Sequence, residues 1–435
     1  MTPSEPRTQT VVCLATYFKG VDFIRECKRL GCFVILVTKE KMLKEDWPRD
    51  SIDELIAVPN DAGPALMIDL AAFISRKRKI DRVVALEEFD VVTAALIREH
   101  FCLQGLSSSR AKTFRDKMSM AVTASNAGLD VPPFVPLINP EEINAFMDRV
   151  PPPWIIKPRS DVSAIGIRKV QDSAEVLRVI EEMNQRESLR ERASYYLLAQ
   201  FIGGEVYHVD SIVNEGRVVF AGANKYGRPP MQVAHQGGAY ISHTIAHGSE
   251  EQKKLFEANR RLIKALRLQR GATHAEFIKS DTDGRFYFLE IAARVGGAYI
   301  AEVLEAATGI NLWREWARLE VSSGEESLVP VVETPPSGSI SAAEAGELMR
   351  VATALRIRAQ RKEYGGIILS LAKQESPDTS AYDDPEIVYR VKKHHHAGLI
   401  VRAKKLERVL ELLDQYAQRF AADFEAVLPP LEKAE

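Results

Sequence analysis

Short apolar runs alternate with longer amphipathic runs over the first hundred residues. The runs TVVCLAT and FVILVT are rich in β-branched residues, whereas DFIRECKRLG and PALMIDLAAFISRK repeat their apolar positions with a helical period. Such alternation is typical of a parallel sheet, because two parallel strands need a long crossover between them. Residues 1–106 are therefore predicted to form an α/β domain.

The turn after the first strand lacks the glycine pattern of a dinucleotide site. The segment TYFKGVDF follows TVVCLAT and contains no G-x-G-x-x-G, the pattern that lets a backbone approach a pyrophosphate closely. We interpret this domain as a Rossmann-like layer that does not bind NAD.

Hairpin-like strands interrupt the helical pattern further along the chain. Between residues 107 and 320, runs such as SYYLLAQFIGG and RFYFLEIA lie among helical segments, which predicts an α+β domain. Residues 321–435 close with the amphipathic run LERVLELLDQYAQRFAADFEAVL. This last part is predicted to be a smaller C-terminal α+β region.

Composition and charge exclude several classes of function. The 435 residues carry a formal net charge of -2, which gives no electrostatic reason to expect nucleic acid or an anionic membrane as a partner. The four cysteines include no C-x-x-C pair, and the first ten residues are too polar for a signal peptide. We expect a cytoplasmic protein that acts on small molecules. Its oligomeric state is left open, with a homodimer as one option.

Two glutamates are predicted to meet across a hairpin. Glu276 lies in THAEFIKS and Glu290 in RFYFLEIA, and a turn near Gly284 joins the two runs. A three-residue loop, 282–284, would place the two carboxylates directly opposite each other, where like charges need a cation between them. Oxygen ligands of this kind suit Mg²⁺. A two-residue turn would instead separate them, and two solvated glutamates are the structural alternative.

Two lysines are candidates for binding phosphate. Lys157 ends the apolar run PPPWIIKP, where an ammonium group can act as a point charge on phosphate. The following segment contains Ser163 and Gly166, which could present backbone N–H groups to an anion. Lys117, in FRDKMSM, precedes a helical segment. On its own it is more typical of a solvated surface lysine.

The segment YYLLAQFIGGEVYHVDSIV is a candidate nucleoside site. Leu198, Phe201 and Ile202 could sandwich a flat base, while main-chain groups at residues 200–202 could pair with its edge. Glu205 could accept ribose hydroxyls. A plain hairpin around the Gly-Gly pair is the competing interpretation.

The order of these parts resembles the ATP-grasp superfamily, in the arrangement shared by biotin carboxylase, carbamoyl-phosphate synthetase and the L-amino acid ligases. The resemblance covers the chain from about residue 10 to about residue 320. It implies a Rossmann-like domain followed by an ATP-grasp domain, with ATP and Mg²⁺ as ligands.

The resemblance also implies roles for individual residues. Lys117 and Lys157 would hold nucleotide phosphates beneath a loop that includes Ser163 and Gly166. The adenosine would contact Gln200, Phe201, Ile202 and Glu205, the metal would contact Glu276 and Glu290, and Arg294 would face the reacting carboxylate or acyl phosphate.

Two positions depart from the family pattern. The family commonly has E-x-N-x-R at the second metal carboxylate, whereas Ala292 stands at the asparagine position here. The predicted register places His274 opposite Ala292, either as a polar substitute or as a packed histidine. The segment around Ser163 is also poorer in glycine than the usual phosphate loop.

The chemistry implied is activation of a carboxylate by ATP, followed by attack of an amine on the acyl phosphate. Phosphoryl transfer needs positioning and charge neutralisation rather than a side-chain nucleophile, and the chain has no G-x-S-x-G elbow. An ATP-dependent ligase, with amino acids as candidate substrates, is thus the main hypothesis. The alternatives are a biotin-carboxylase-like enzyme and a non-catalytic ATP-binding regulatory protein.

Overall fold

The computed structural model describes residues 8–161, 166–322 and 361–426. Within these ranges the strands form three sheets. The strands are β1 Thr10–Leu14, β2 Phe33–Lys39, β3 Glu54–Val58, β4 Arg82–Ala85, β5 Phe134–Pro136, β6 Trp154–Pro158, β7 Arg168–Val170, β8 Tyr196–Gln200, β9 Gly204–Asn214, β10 Arg217–Tyr226, β11 Tyr240–Thr244, β12 Arg270–Ser280, β13 Phe286–Ala292, β14 Tyr364–Leu371, β15 Ile387–Arg390 and β16 His396–Ala403.

The α-helices alternate with these strands. They are α1 Val21–Arg29, α2 Pro64–Ser75, α3 Val91–His100, α4 Ser108–Thr113, α5 Lys117–Asn126, α6 Pro140–Arg149, α7 Ser173–Asn184, α8 Pro230–Gln236, α9 Glu250–Leu266, α10 Ile300–Thr308, α11 Leu312–Val321 and α12 Leu406–Asp423. Within the described ranges, no helix is both long enough and apolar enough to cross a membrane.

The N-terminal sheet has the order β3-β2-β1-β4, and its neighbouring strands are parallel. All five residues of β1 are buried, as expected for a parallel strand covered on both faces. Apolar clusters lie on each side of the sheet. This confirms the predicted α/β layer at the start of the chain.

A small antiparallel sheet follows, with the order β5-β8-β6-β7. Helices α6 and α7 cover it with residues such as Phe146 and Val176, which pack against Trp154 and Leu198. The indole N–H of Trp154 donates to the Val150 carbonyl, which satisfies its buried polar group. Strand β6 therefore holds Lys157 on a rigid support.

The largest sheet is antiparallel and has the order β13-β12-β9-β10-β11-β14-β16-β15. Strands β14 to β16 come from the C-terminal part of the chain, and β14 pairs with β11. The C-terminal region therefore continues this sheet. The predicted combination of α/β and α+β parts is confirmed.

The two faces of the large sheet have different neighbours. We call the face that carries Glu276 the front face and the other the back face. On the back face, Val209 and Phe277 pack against α5 and α9. On the front face, α10 and α11 cover one end of the sheet through Leu304 and Trp316. The uncovered part of the front face bears the polar residues of the site.

Consecutive glycines let helices approach β14 from both faces. A Cβ at Gly365 would lie 2.8 Å from the Val303 carbonyl oxygen of α10, and one at Gly366 would lie 2.6 Å from Leu413 Cδ1 of α12. Strand β14 therefore packs closely between α10 and α12. Its pairing with β11 joins the C-terminal part to the sheet that carries the site.

Candidate active site

The hairpin of β12 and β13 brings the two predicted metal-binding glutamates together. Glu276 pairs directly with Glu290, and directly opposed residues project from the same face of a sheet. The predicted pairing is confirmed, and we call these residues the glutamate pair. Their role in metal binding stays a prediction.

The turn of this hairpin is longer than the sequence suggested. The Ser280 amide donates to the Arg285 carbonyl, so the loop has four residues, 281–284, and the expectation of three is wrong. Four residues alone would displace the pairing by one position. A β-bulge next to Glu276 compensates, because β13 contains an extra residue, Leu289, at this point.

Each member of the glutamate pair has a different environment. The Tyr226 hydroxyl donates to Glu276 Oε1 at 2.7 Å, and His274 Nε2 lies 3.4 Å from the same oxygen. Burial alone would raise the pKa of Glu276, but the hydrogen bond and charge of His274, together with Tyr226, lower it. Glu290 is 34% exposed at its side chain, and its Oε2 lies 2.9 Å from the Lys117 ammonium.

Lys117 is held by the start of α5. Asp116 caps this helix by accepting the Met118 and Ser119 amides, and its carboxylate also binds the Arg159 guanidinium. The Lys117 ammonium additionally donates to the Asp161 carbonyl at 2.5 Å. Lys117 is therefore a buried, oriented cation, in contrast to the surface lysine that its local sequence resembles.

Lys157 lies within electrostatic range of Lys117 and of the glutamate pair. Burial, and then the charge of Lys117, lower the pKa of Lys157 to about 8, although Glu290 and Glu276 act in the opposite direction. The two predicted phosphate-binding lysines and the glutamate pair therefore form one electrostatic cluster. An anion added between the two ammonium groups would relieve their repulsion.

The predicted phosphate loop is described only in part. Ser163 lies outside the described residues. Gly166 has φ +70, and a Cβ built there would lie 3.6 Å from Pro158 Cγ. Its left-handed conformation favours glycine and lets the chain fold back over the end of β6.

The predicted nucleoside segment leads into an apolar cluster on the front face. The Gln200 and Phe201 amides donate to the carbonyls of Pro133 and Pro153, and the Lys169 ammonium lies 3.7 Å from the centre of the Phe201 ring. The cluster has members from five strands, β9 to β13, and from the segment after β8. It comprises Ile202, Val206, Tyr226, Tyr240, Ile278, Tyr287 and Leu289.

Of this cluster the sequence analysis named only Ile202, and the members it missed include Ile278 and Leu289. Ile278 lies two residues after Glu276 and so shares its face. Leu289 shares the face of Glu290 because of the bulge. The first could have been found from strand alternation, whereas the second depends on the irregularity. Both lie where a base could pack beside the glutamate pair.

Glu205 lies on the back face. It pairs with Lys279, one position from Ile278, so its side chain points away from the glutamate pair. Its carboxylate binds the Lys225 ammonium at 2.5 Å and accepts from the Tyr207 hydroxyl. The hydrogen bond from Lys225, with that from Tyr207, holds the pKa of Glu205 below its ordinary value despite partial burial. The expected ribose contact of Glu205 therefore gains no support from the geometry.

Arg294 contacts the N-terminal domain through Glu88, a residue that the sequence analysis missed. One guanidinium nitrogen donates to Glu88 Oε2 at 2.6 Å and another to the Val295 carbonyl. Glu88 also pairs with Arg115. Burial would raise the pKa of Glu88, but the charges of Arg294 and Arg115 hold it low. Arg294 Nε is buried and lacks a hydrogen-bond partner among the described residues.

A buried polar chain runs beside Glu276. Asp210 Oδ2 lies 2.5 Å from His208 Nδ1, and Asp210 Oδ1 lies 2.9 Å from His274 Nδ1. The Nε2 of His208 lies 2.8 Å from Ser242 Oγ. These nitrogen–oxygen distances are those of direct hydrogen bonds, which leaves no space for a metal ion between the partners.

The charge of this chain follows from its contacts. Burial would lower the pKa of His274, but the charge and hydrogen bond of Asp210, with those of Glu276, raise it to about 10. Burial would likewise raise the pKa of Asp210, but the two histidines lower it. His274 is therefore a polar partner of Glu276 within the packed interior of the sheet. Alternation within HVD and THAE was the signal available for finding it.

The residues present fit a divalent cation. Two carboxylates from directly opposed positions share the front face, and Mg²⁺ in nucleotide sites typically takes one or two protein carboxylates plus phosphate oxygens and water. Ala292, which pairs with His274, contributes no ligand atom. Glu276 and Glu290 would therefore be the protein ligands.

The match to known families agrees with this geometry. Residues 150–302 match the model of the ATP-grasp domain family. This part of the chain is an ATP-grasp domain. The match includes Lys157, Arg294 and the glutamate pair, whereas Lys117 precedes it.

Two ligases are similar to the chain in sequence. An L-arginine-specific L-amino acid ligase from Bacillus subtilis is 22% identical over 270 residues, which cover 62% of this chain and 64% of the relative. A D-alanine–D-alanine ligase from Neisseria gonorrhoeae is 25% identical over 213 residues, which cover 45% of this chain and 63% of the relative. The chain thus spans somewhat under two thirds of the length of the relatives it matches.

The complete fold is similar to that of a solved ligase. The crystal structure of an L-amino acid ligase from Bacillus licheniformis superposes with a TM-score of 0.70 and 16% identity, covering 97% of this chain and 99% of that one. The ATP-grasp domain of the present chain therefore lies in the same overall architecture.

Proposed function

We propose that the protein is an ADP-forming ligase that activates a carboxylate as an acyl phosphate and transfers the acyl group to an amine. The observation that carries the proposal is the glutamate pair on one face of the sheet, with the Lys117 ammonium 2.9 Å from Glu290. The similarity of the chain to L-amino acid ligases favours amino acids as the source of the carboxylate and the amine.

The proposed ATP site extends along the front face. Ile202, Ile278 and Leu289 would pack against the base, while Lys117 and Lys157 would neutralise phosphate oxygens. The glutamate pair would hold Mg²⁺, which stabilises charge on the phosphate groups when it is bound.

The chemistry requires two displacements. A carboxylate oxygen of the acid bonds to the γ-phosphorus while the bond to the ADP oxygen breaks. The amine nitrogen then bonds to the acyl carbon, phosphate leaves with the electron pair, and the nitrogen loses a proton. Arg294, whose Nε lacks a partner among the described residues, would donate to the developing oxyanion.

Trapping of the intermediate tests this proposal. The protein is incubated with ATP, Mg²⁺ and individual amino acids, and ADP release is measured with and without hydroxylamine. We expect an acid-dependent release of ADP and formation of the corresponding hydroxamate, because hydroxylamine replaces the amine. If ATP binds but no acid yields ADP, the protein is a nucleotide-binding regulator. If only bicarbonate supports ADP release, the biotin-carboxylase-like alternative is correct.

A further inference from the structure

The polar chain beside Glu276 connects the metal-binding glutamate to the interior of the sheet. His274 pairs directly with Asp210, and Glu276 pairs directly with His208, on adjacent strands β12 and β9. All four side chains therefore project from the front face. Asp210 and His208 are 0% exposed, and His274 is 9% exposed.

Asp210 satisfies the conditions for orienting His274. A buried carboxylate is costly unless its oxygens are paired, and both oxygens of Asp210 contact imidazole nitrogens. The hydrogen bond to His274 Nδ1 fixes the rotation of the imidazole ring, which directs Nε2 toward Glu276 Oε1. The Tyr226 hydroxyl reaches the same oxygen, so Glu276 is restrained from two directions.

A close backbone approach independently links this chain to the Arg294 loop. A Cβ at Gly296 would lie 2.8 Å from Asp210 Oδ1 and 3.0 Å from His274 Nδ1, whereas a Cβ at Gly297 would meet no atom within 4 Å. The backbone at Gly296 therefore lies directly over the Asp210–His274 hydrogen bond. Only the absence of a side chain leaves that hydrogen bond undisturbed.

We propose that Asp210 and His274 are positioning residues that hold Glu276 in the orientation required to bind the divalent cation. This inference rests on the proposed function, because it takes Glu276 as a metal ligand. It adds that the strength of the metal site depends on a buried hydrogen bond that touches neither metal nor nucleotide.

The two adjacent glycines provide a matched test. Mn²⁺ serves as the probe, and its dissociation constant is measured by electron paramagnetic resonance for the parent, Gly296→Ala and Gly297→Ala proteins in the presence of ATP. We expect roughly a tenfold to hundredfold weaker Mn²⁺ affinity in Gly296→Ala, the range seen when partners of metal ligands are lost. Gly297→Ala should match the parent. Equal affinities in all three proteins would overturn the inference.

The isosteric change Asp210→Asn gives a second test. It should weaken Mn²⁺ binding to a similar extent. Binding of a fluorescent ATP analogue in the absence of metal should stay unchanged, whereas a general loss of structure would weaken both. Thermal unfolding identifies any variant that fails to fold. If Asp210→Asn does not fold, the comparison of Gly296→Ala with Gly297→Ala tests the positioning role. Electron spin echo spectra of bound Mn²⁺ should show no nitrogen coupling from the protein. Such coupling would make His274 a direct ligand and overturn its positioning role.

These outcomes separate the two proposals. If the parent protein binds no Mn²⁺ in the presence of ATP, the metal site of the proposed function is wrong. If the parent binds Mn²⁺ and both Gly296→Ala and Asp210→Asn bind it equally well, only the positioning role is wrong.

Discussion

At the scale of single residues, the site brings like charges together before any ligand is present. Lys157 is half-buried, and its pKa falls to about 8 through loss of solvation and the charge of Lys117. Glu276 and Glu290 face each other across the hairpin. Each cation is partly compensated by the carboxylates, so the cluster is suited to a ligand that carries both negative phosphates and a metal ion.

The pKa of Lys157 predicts a pH dependence for nucleotide binding. A phosphate favours the protonated lysine, so above pH 8 the free protein must take up a proton when ATP binds. We expect ATP affinity to be constant below about pH 7.5 and to fall by up to about tenfold per pH unit above pH 8. Titrations between pH 7 and 9.5 measure this effect. Lys157→Gln should bind weakly and lose the dependence, whereas a flat profile in the parent would contradict the assignment.

Glu290→Gln tests the glutamate pair. The change removes one charge of the proposed metal site and the anionic partner of Lys117, so we expect turnover to be abolished and Mn²⁺ affinity to fall. Because the substitution also relieves repulsion with Glu276, the thermal unfolding midpoint should not decrease much. Glu257→Gln, on the exposed side of α9, is the control. Full activity of Glu290→Gln would exclude a metal role.

Residue-level features were recoverable from the sequence where strand alternation alone decides them. The back-face position of Glu205 follows from the period of two, because His208 and Asp210 on the same strand share the opposite face. The pairing of Glu276 with Glu290 does not, because it depends on a four-residue turn and on the bulge in β13. The contact of Arg294 with Glu88 joins residues 206 positions apart, and no local pattern contains it.

At the scale of elements, the bulge in β13 decides what surrounds the glutamate pair. The four-residue turn and the extra residue Leu289 together give the pairing that a three-residue turn would have given without a bulge. The sequence interpretation therefore reached the correct pair through an incorrect turn. The bulge has a consequence of its own, since it places Leu289 beside Glu290 on the front face.

Leu289→Ala tests whether the bulge serves the nucleotide. The side chain belongs to the apolar cluster with Ile202 and Ile278, and loss of its contact with a base should weaken ATP binding by about tenfold, in line with partial burial of an apolar side chain. Metal-dependent steps should persist at saturating ATP. Leu410→Ala on α12, where the side chain is 40% exposed, is the control, and equal ATP affinities in both variants would argue against a base at this position.

At the scale of the whole molecule, the site is assembled from distant parts of the chain. The N-terminal domain supplies Glu88, the segment before the family match supplies Lys117, and the ATP-grasp domain supplies the glutamate pair and Arg294. Helix α11 packs against α1 through Trp316 and Phe23, and Arg318 donates to Glu26. The alternation of strands and helices predicted these layers, but the sequence did not show that β14 would join the large sheet.

Glu88→Gln tests the contact between the N-terminal domain and the Arg294 loop. Loss of the charge leaves Arg294 and Arg115 without their shared partner, and breaking a buried pair costs about 3–5 kcal/mol. We expect a lower free energy of unfolding, measured by urea denaturation at pH 7.

The free energy of unfolding measured at acid pH provides the control for Glu88→Gln. The pKa of Glu88 is depressed in the folded state, so its stabilisation is present above the ordinary glutamate pKa and is lost as the pH falls through the folded value. The difference between Glu88→Gln and the parent should therefore shrink in acid. A difference that is constant from neutral pH into the acid range would show that the charge of Glu88 is not the cause.

The junction between β11 and β14 also has a consequence during synthesis. The strands that carry the glutamate pair and Asp210 all precede residue 293, so they can pair while the ribosome is still translating the last third of the protein. Among the described residues, the outer edge of β11, Tyr240–Thr244, pairs with β14, which is synthesised later. A nascent or truncated chain ending before residue 361 would expose that edge to other chains, and aggregation of such fragments is the expected result.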